Sequence, residues 1–370
     1  MHTSAATIHS TPLSRRAALA GGMGAFALLA AGCGPRPSLL GGAERGLHSF
    51  TGMSMGSSYT VKIAAQRLSQ AGLAASRQAV AAALGGVVAQ MSHYERASEV
   101  SRLNRQPLGR AMAVSAATLQ VFEAAAAVQQ ASGGAFDVSL GDAVDAWGFG
   151  PSQNPPQLQP ARRAPPLSEQ ARLQAVARSS ALVVDAKAGT LVRLAPVQAD
   201  LSGIAKGYGV DLAAKALQAL GFGDFMVEVG GEIRTLGTNA RGQPWQLAIE
   251  RPDAMPQQAF IIVPMSGRSL ATSGDYRNFF MQDGRRYTHE IDPATAAPVE
   301  HALASVSVVA SDCTMADAWS TALFVLGPER GPQTATRLGL AACFLQRRTG
   351  GSFSIRSTPA FAALGARDVG

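Results

Sequence analysis

Apolar residues recur along this chain in two patterns, which predict a few long helices and many short strands. Segments 69–91 and 115–132 are rich in Ala with helical spacing, and Ser115 and Gly133-Gly134 are typical of a helix start and a helix end. A third helix is predicted over 207–220. Short or alternating apolar stretches predict strands or strand pairs at 50–64, 182–185, 190–193, 225–252, 260–291, 305–310 and 341–356. Because helices and strands do not alternate regularly, the sequence predicts an α+β fold with mixed, largely antiparallel sheets and flanking helices.

The first 33 residues have the features of an export signal. Arg15-Arg16 precedes an apolar run, 17–31, that is shorter than the roughly 20 residues needed to span a bilayer. Twin arginines before a moderately apolar core predict a twin-arginine signal and therefore a periplasmic protein. Small residues before Cys33 resemble a lipoprotein box, although Leu29 stands one position further from the cysteine than usual. Two outcomes stay open: a lipid anchor at Cys33, or an ordinary cleaved signal.

The rest of the chain is predicted to be a linker, 34–47, followed by one domain, 48–370, with a proline-rich surface loop at 151–166. The net charge of +7 is spread along the 370 residues without a Lys/Arg run, so the sequence indicates no nucleic-acid partner. Beyond residue 33 only Cys313 and Cys343 remain and no C-x-x-C occurs, which excludes a thiolate metal site and argues against a disulfide framework.

Two segments carry candidate chemistry. Asp317 and Thr321 are four residues apart in a helical pattern, so both project from one face. A carboxylate and a hydroxyl so arranged suit Mg²⁺, although such a Thr often bonds within its own helix and such an Asp is often only solvated. The other segment, 200–208, has an Asp, a Gly-containing turn and Lys206 where a strand changes to a helix. Backbone amides and an ammonium in that arrangement can bind a phosphate group.

Eight short motifs occur in one order along the chain. They are MGS (55–57), SGGAFD (132–137), WGFG (147–150), DLSGIAKGY (200–208), VGGEI (229–233), TSGDY (272–276), HEIDP (289–293) and ADAWSTAL (316–323). Together they resemble the FAD:protein FMN transferase (ApbE-like) family over about residues 50–327. The resemblance implies an ApbE-like fold and a Mg²⁺-dependent enzyme that splits the FAD pyrophosphate. FMN would move through a phosphoester onto a Thr or Ser hydroxyl of a target protein, with release of AMP.

The resemblance also implies roles for individual residues. Residues expected to contact FAD are Met55, Tyr94, Ala135, Phe136, Asp137, Asp200, Lys206 and Thr288. The metal would be held by the backbone carbonyl of Gly203 together with Asp317 and Thr321. These residue types suit such roles, because Met and Phe pack against flat rings, Asp accepts from an adenine amine or ribose hydroxyl, and Lys neutralises phosphate charge.

His289 is expected to be the general base, because an imidazole that titrates near neutral pH can take the proton of the acceptor hydroxyl. Asp275 is the competing candidate. The chain departs from the family pattern at Thr288, where a first histidine often stands, and at Ala296-Ala297, where a glycine is common. The five remaining histidines, His2, His9, His48, His93 and His301, receive no role.

The expected partners are FAD and an exported or membrane-bound acceptor protein with a Thr/Ser flavinylation site, such as a respiratory electron-transfer subunit. Two other functions stay open. One is an FAD pyrophosphatase that releases FMN and AMP to water. The other is a non-catalytic flavin carrier for respiratory complex assembly, which the Asp317/Thr321 pair argues against, because a carrier has no need to activate a pyrophosphate.

Overall fold

The computed structural model describes residues 45–151, 162–177 and 181–370. The predicted export signal, most of the predicted linker and most of the proline-rich loop lie outside these residues. All described residues belong to one contact unit. The first strand begins at Gly46, inside the predicted linker, and the Arg45 guanidinium lies 2.7 Å from a carboxylate oxygen of Asp224. The folded domain therefore begins slightly earlier than the sequence predicted.

The helices and strands of the described part follow in chain order. The helices are α1 (Gln70–Met91), α2 (Glu99–Arg105), α3 (Ala116–Ala131), α4 (Gly141–Ala146), α5 (Leu167–Ala177), α6 (Ala205–Ala219), α7 (Cys313–Arg337) and α8 (Pro359–Ala362). The strands are β1 (Gly46–Ser54), β2 (Ser57–Ala65), β3 (Met112–Ala113), β4 (Leu182–Asp185), β5 (Thr190–Arg193), β6 (Phe225–Val229), β7 (Glu232–Leu236), β8 (Trp245–Glu250), β9 (Ala259–Met265), β10 (Ser269–Gly274), β11 (Phe279–Gln282), β12 (Arg285–Thr288), β13 (Ile291–Asp292), β14 (Ala297–Pro298), β15 (Leu303–Ala310), β16 (Ala341–Arg347), β17 (Phe353–Ser357) and β18 (Arg367–Asp368).

A large sheet organises the domain. Its eight strands have the order β1-β2-β6-β7-β10-β15-β16-β17, and smaller sheets are formed by β3-β5-β4, β18-β9-β8, β11-β12 and β13-β14. Every strand pair in the described residues is antiparallel. The predicted α+β class is confirmed, without the parallel pairs that a mixed sheet would have allowed.

The large sheet is covered on both faces. Alternate residues of a strand point to opposite faces, and on β6 Phe225 and Val227 pack with α1 and α6, whereas Met226 packs with β8 and β9. Helix α1 is long and apolar enough to cross a membrane by length and composition alone. Its buried stripe, which includes Val80 and Leu84, instead packs in the core beneath the sheet.

Acidic side chains cap the start of α7 and fasten it to α6. The Asp312 carboxylate accepts from the backbone N–H of Met315 at the start of α7, and buried Asp211 of α6 accepts from the N–H groups of Cys313 and Thr314. Gly327, with φ of 77°, interrupts the helical path of α7. The first half of α7 is thereby fastened to α6 at its N-terminal end.

Candidate active site

The predicted phosphate and metal residues meet where the first turn of α6 packs against α7. The Lys206 ammonium nitrogen lies 3.6 Å from Oδ1 of Asp317, whose Oδ2 accepts a hydrogen bond of 2.9 Å from the backbone N–H of Gly207. A Cβ atom on Gly207 would clash with the Cys313 carbonyl oxygen and would lie 2.8 Å from the Asp317 Cβ. Only glycine therefore permits this approach of α6 to α7, which explains the residue after Lys206 in the motif.

Thr321 and Gly203 lie at the same junction. A Cβ atom on Gly203 would be 3.3 Å from Oγ1 of Thr321 and 3.2 Å from the Phe136 ring. The Thr321 hydroxyl is hydrogen-bonded to the Ser273 hydroxyl at 3.1 Å. The structure thus brings together the three predicted metal ligands, with Asp317 and Thr321 one turn apart on α7.

Two further buried carboxylates surround Lys206, and the sequence reasoning assigned neither a role. Glu232 is 3% exposed, and its Oε1 lies 2.8 Å from the Lys206 ammonium, while its Oε2 is buried without a hydrogen-bond partner. Burial raises the pKa of Glu232 and of Asp317, against the opposing effect of Lys206. Burial also raises the pKa of Glu290 to about 7. The only sequence signal for Glu232 is a charged residue directly after the glycine turn of the VGGEI motif.

This charge balance bears on the expected metal. Three buried carboxylates face one ammonium, so the junction has a deficit of positive charge when all are ionised. The described residues contain no group of three or more His, Cys, Asp and Glu side chains arranged to hold a metal. The donor set of one carboxylate, one hydroxyl and one carbonyl is nevertheless all oxygen, and Mg²⁺ commonly takes few protein ligands. The residues present fit a magnesium ion.

The residues expected to contact the flavin lie around the edge of this junction. Met55 is in the two-residue turn between β1 and β2, and its Cε would be 3.1 Å from a Cβ atom on Gly209 of α6. Phe136 is buried against the same core, and Ala135 is partly buried beside it. Asp137 instead accepts hydrogen bonds from the N–H and the hydroxyl of Ser139, two residues further along the chain.

Tyr94 and Asp200 share a neighbour that received no role from the sequence. The Tyr94 side chain is 49% exposed and its hydroxyl donates to the Phe149 carbonyl at 2.8 Å. The His93 ring lies 4.4 Å from the Tyr94 ring, centroid to centroid, and its Nδ1 is 3.1 Å from Oδ1 of Asp200. His93 could not have been identified from the sequence. In the pattern of apolar and polar positions it is an ordinary residue at the end of a predicted helix.

His289 differs in its titration from the sequence expectation. Nδ1 lies 3.1 Å from the carbonyl oxygen of Asn278, which can only accept, so the proton is on Nδ1 and the Nε2 lone pair is free. Loss of solvation lowers the pKa of His289 to about 4, with Lys206 acting in the same direction, while 37% of its side chain is still exposed. The ring is therefore neutral at physiological pH instead of titrating near it. Nε2 lies 3.7 Å from Oε1 of Glu290.

Asp275, the competing base, is held in a bidentate ion pair. Its two oxygens lie 2.6 Å and 2.7 Å from the two terminal nitrogens of Arg347. Burial raises the pKa of Asp275 against the effect of this arginine. Asp275 and buried Thr288 line one cavity of about 250 Å³. An ion pair of this geometry fixes the Asp275 carboxylate and uses one acceptor site on each of its oxygens.

Gly230-Gly231, Trp147 and Ala296 have structural contacts. Gly230-Gly231 forms the two-residue turn between β6 and β7, with φ of 63° and 111°. Trp147 is buried, and its Nε1 donates to the carbonyl oxygen of Ala296. Ala296 itself adopts a positive φ of 53°. The turn that a glycine would commonly form is therefore retained with an alanine in the left-handed region.

The fold and the site together define a class of protein that is already known. Its features are an antiparallel α+β domain and a junction between two helices that contains a lysine and acidic residues. The sequence model of the ApbE family matches residues 55–344. Curated relatives named FAD:protein FMN transferase include those of Haemophilus influenzae, 37% identical over 85% of this chain and 91% of the relative, and Vibrio cholerae, 38% identical over 80% and 87%. This chain belongs to the ApbE family.

Solved structures agree with the sequence matches. The flavinyl transferase ApbE of Pseudomonas stutzeri superposes with a TM-score of 0.76 at 37% identity, covering 89% of this chain and 98% of that one. The flavin transferase ApbE of Vibrio cholerae gives 0.77 at 34% identity, covering 86% and 99%. The described fold is thus the ApbE fold over nearly the full length of both structures.

Proposed function

We propose that this protein transfers FMN from FAD to a Thr or Ser hydroxyl of a target protein, with Mg²⁺, and releases AMP. The observation that carries the proposal is the junction at which Lys206, Asp317, Thr321 and Gly203 converge between α6 and α7. The names of the relatives support flavin transfer. The oxygen donors of the site support the metal, and the family resemblance implies the hydroxyl acceptor and the release of AMP.

Asp317, Thr321 and the Gly203 carbonyl would hold the Mg²⁺ ion. When bound, the ion supplies positive charge that stabilises the negative charge developing on the pyrophosphate oxygens. The unpartnered Oε2 of Glu232 and the excess of buried carboxylates support a cation at this junction.

Lys206 and the start of α6 would bind the pyrophosphate. Helix α6 has no N-cap side chain of its own, and the Asp317 carboxylate accepts from only one N–H of its first turn, that of Gly207, so the dipole of α6 adds to the Lys206 charge in part. The Lys206 side chain is 31% exposed, and its pKa is raised, so the ammonium keeps its charge while it faces the bound phosphate. We expect these two features to hold the phosphorus atom for attack.

His289 would accept the proton of the attacking hydroxyl at Nε2. The hydroxyl oxygen forms a bond to the phosphorus of the FMN half, the bond from that phosphorus to the bridging oxygen breaks, and AMP leaves with that oxygen. The Nδ1–H group stays bonded to the Asn278 carbonyl, which keeps the Nε2 lone pair toward the site. The low pKa leaves the ring neutral before the transfer, and it also makes His289 a weaker base than an imidazole that titrates near neutral pH.

The acceptor would be an exported protein. The twin-arginine segment supports a periplasmic enzyme, held at the membrane through Cys33 or released after cleavage. A respiratory electron-transfer subunit with a Thr/Ser flavinylation site is the acceptor that the family resemblance implies.

One incubation tests the proposal and separates it from FAD hydrolysis. The protein is incubated with FAD, Mg²⁺ and a candidate acceptor, and a matched acceptor has its target Thr replaced by Val. Flavin fluorescence on the denatured intact acceptor, absent from the Val control, is the expected result. Free FMN and AMP without labelled acceptor would instead identify a pyrophosphatase, and unchanged FAD would identify a carrier.

A further inference from the structure

His93 contacts two of the residues expected to bind FAD. Its Nδ1 lies 3.1 Å from Oδ1 of Asp200, and its ring packs against that of Tyr94. The His93 side chain is 10% exposed and that of Asp200 is 8% exposed. Because an ionised carboxylate only accepts hydrogen bonds, His93 donates from Nδ1.

All the donors that reach the Asp200 carboxylate from the described residues converge on the same oxygen. The backbone N–H of Ser202 donates to Oδ1 at 2.8 Å, and the Ser202 hydroxyl donates to it at 2.5 Å. With His93, three donors therefore hold Oδ1, while Oδ2 receives none. A carboxylate fixed through one oxygen presents the other in a defined direction, available to a ligand.

The His93 ring would be unfavourable for stability if its role were packing alone. Nε2 of His93 is buried without a hydrogen-bond partner. A buried polar atom without a partner destabilises the fold, and an apolar side chain of similar size would avoid this. The donor at Nδ1 is the property that only a polar side chain supplies here.

We infer that His93 is a positioning residue for FAD: it orients the Asp200 carboxylate so that Oδ2 accepts a hydrogen bond from the adenosine half of the dinucleotide. The inference rests on the proposed function, since it takes Asp200 as a contact to FAD.

The electrostatics of the pair agrees with this geometry. Burial alone would lower the pKa of His93, but the facing Asp200 carboxylate more than offsets it, and the pKa is raised. Burial would likewise raise the pKa of Asp200, yet His93 and the Ser202 donors bring it below its ordinary value. Asp200 therefore stays an ionised acceptor throughout the physiological range.

Two substitutions separate positioning from packing. His93→Leu removes the donor with little loss of volume, whereas His93→Asn keeps an N–H donor near the position of Nδ1. The control is His48→Leu, because His48 also has a buried Nε2 without a partner but lies on β1 about 20 Å along the strand from the Met55 turn. The dissociation constant of FAD is measured without acceptor, together with competition by ADP and by FMN, and melting temperatures are recorded.

We expect His93→Leu to weaken binding of FAD and of ADP by about tenfold, equivalent to about 1.4 kcal/mol, and to leave FMN competition unchanged. His93→Asn should recover most of the affinity, and His48→Leu should bind FAD as the parent does. The inference is overturned if His93→Leu binds FAD within twofold of the parent, if FMN binding weakens equally, or if Asn and Leu behave alike. FAD binding is measured without an acceptor protein, so it does not depend on FMN transfer. A failure of transfer would therefore contradict the proposed function and not the role of His93.

Discussion

Replacement of Lys206 by Met tests how the charges of the site are balanced. The substitution keeps much of the side-chain volume but removes the ammonium that lies 2.8 Å from Glu232 and 3.6 Å from Asp317. At an effective dielectric constant of about 20, the Coulomb attraction is roughly 6 kcal/mol for the closer pair and roughly 5 kcal/mol for the other. Desolvation offsets most of this, and removal of one partner of a buried pair typically costs about 3–5 kcal/mol.

We expect the lower end of that range, about 3 kcal/mol, because Lys206 is 31% exposed and the two carboxylates can take up protons. For a domain of this size the loss corresponds to a fall in melting temperature of about 4–5 °C. Because Lys206 pairs with two carboxylates, we expect its replacement to reduce stability clearly as well as to reduce FAD turnover.

The pH dependence of this loss has a definite sign. The pKa values of Glu232 and Asp317 are already raised by burial and lowered by Lys206, so removing Lys206 raises both further. The folded variant then holds more protons than the folded parent, and its stability deficit grows as the pH rises, by up to about 1.4 kcal/mol per pH unit for each extra proton.

Thermal unfolding at pH 5.5 and pH 8.5 measures this difference. Lys215→Met, on an exposed position of the same helix, is the matched control and should melt as the parent does at both values. Adding Glu232→Gln to Lys206→Met should restore part of the lost stability, because it removes one uncompensated charge. A deficit that is absent, or equal at both pH values, would refute the assigned charge balance.

Three other outcomes follow from the site. Asp317→Asn should abolish transfer while the protein stays folded, as should excess EDTA with the parent, and an active variant would contradict the metal role of Asp317. His289→Ala should slow single-turnover transfer from bound FAD by about 10²–10⁴-fold with FAD affinity unchanged, and if Asp275→Asn alone has this effect, the base is Asp275. Because the pKa of His289 is lowered to about 4, the single-turnover rate should not fall with a midpoint near pH 6.5 as the pH is lowered from 8 to 6.

Periodicity was sufficient to predict the long elements, and local composition failed for the short ones. Helices α1 and α3 have several turns of apolar spacing and Ser caps, so their limits agree within a residue or two of those predicted. The seven-residue α2 and six-residue α4 are too short to show a period, and α5 has a single fully buried residue, Leu173. Their helical state depends on packing that a sequence window does not contain.

The same division applies to the site. Asp317 and Thr321 could be paired in advance because helix geometry relates residues four apart. Glu232 and His93 reach the site from other elements, so their roles depend on the fold and have no local signal. The sequence predicted that His289 titrates near neutral pH, whereas its pKa is lowered. Residue type alone does not reveal the loss of solvation or the nearby Lys206 charge that cause this shift.

The spacing of the central charges follows from backbone packing between two helices. Gly207 contacts the backbone of Cys313, and Asp211, one turn further along α6, accepts from the N–H groups of Cys313 and Thr314. The start of α7 is thus fixed to α6 at two levels, and Asp317 is one turn beyond. The separation of Lys206 from Asp317 is therefore determined by the packing of the two helices and not by the flexibility of the two side chains. A site built on such a contact is preorganised, so its charges need little rearrangement when the pyrophosphate binds.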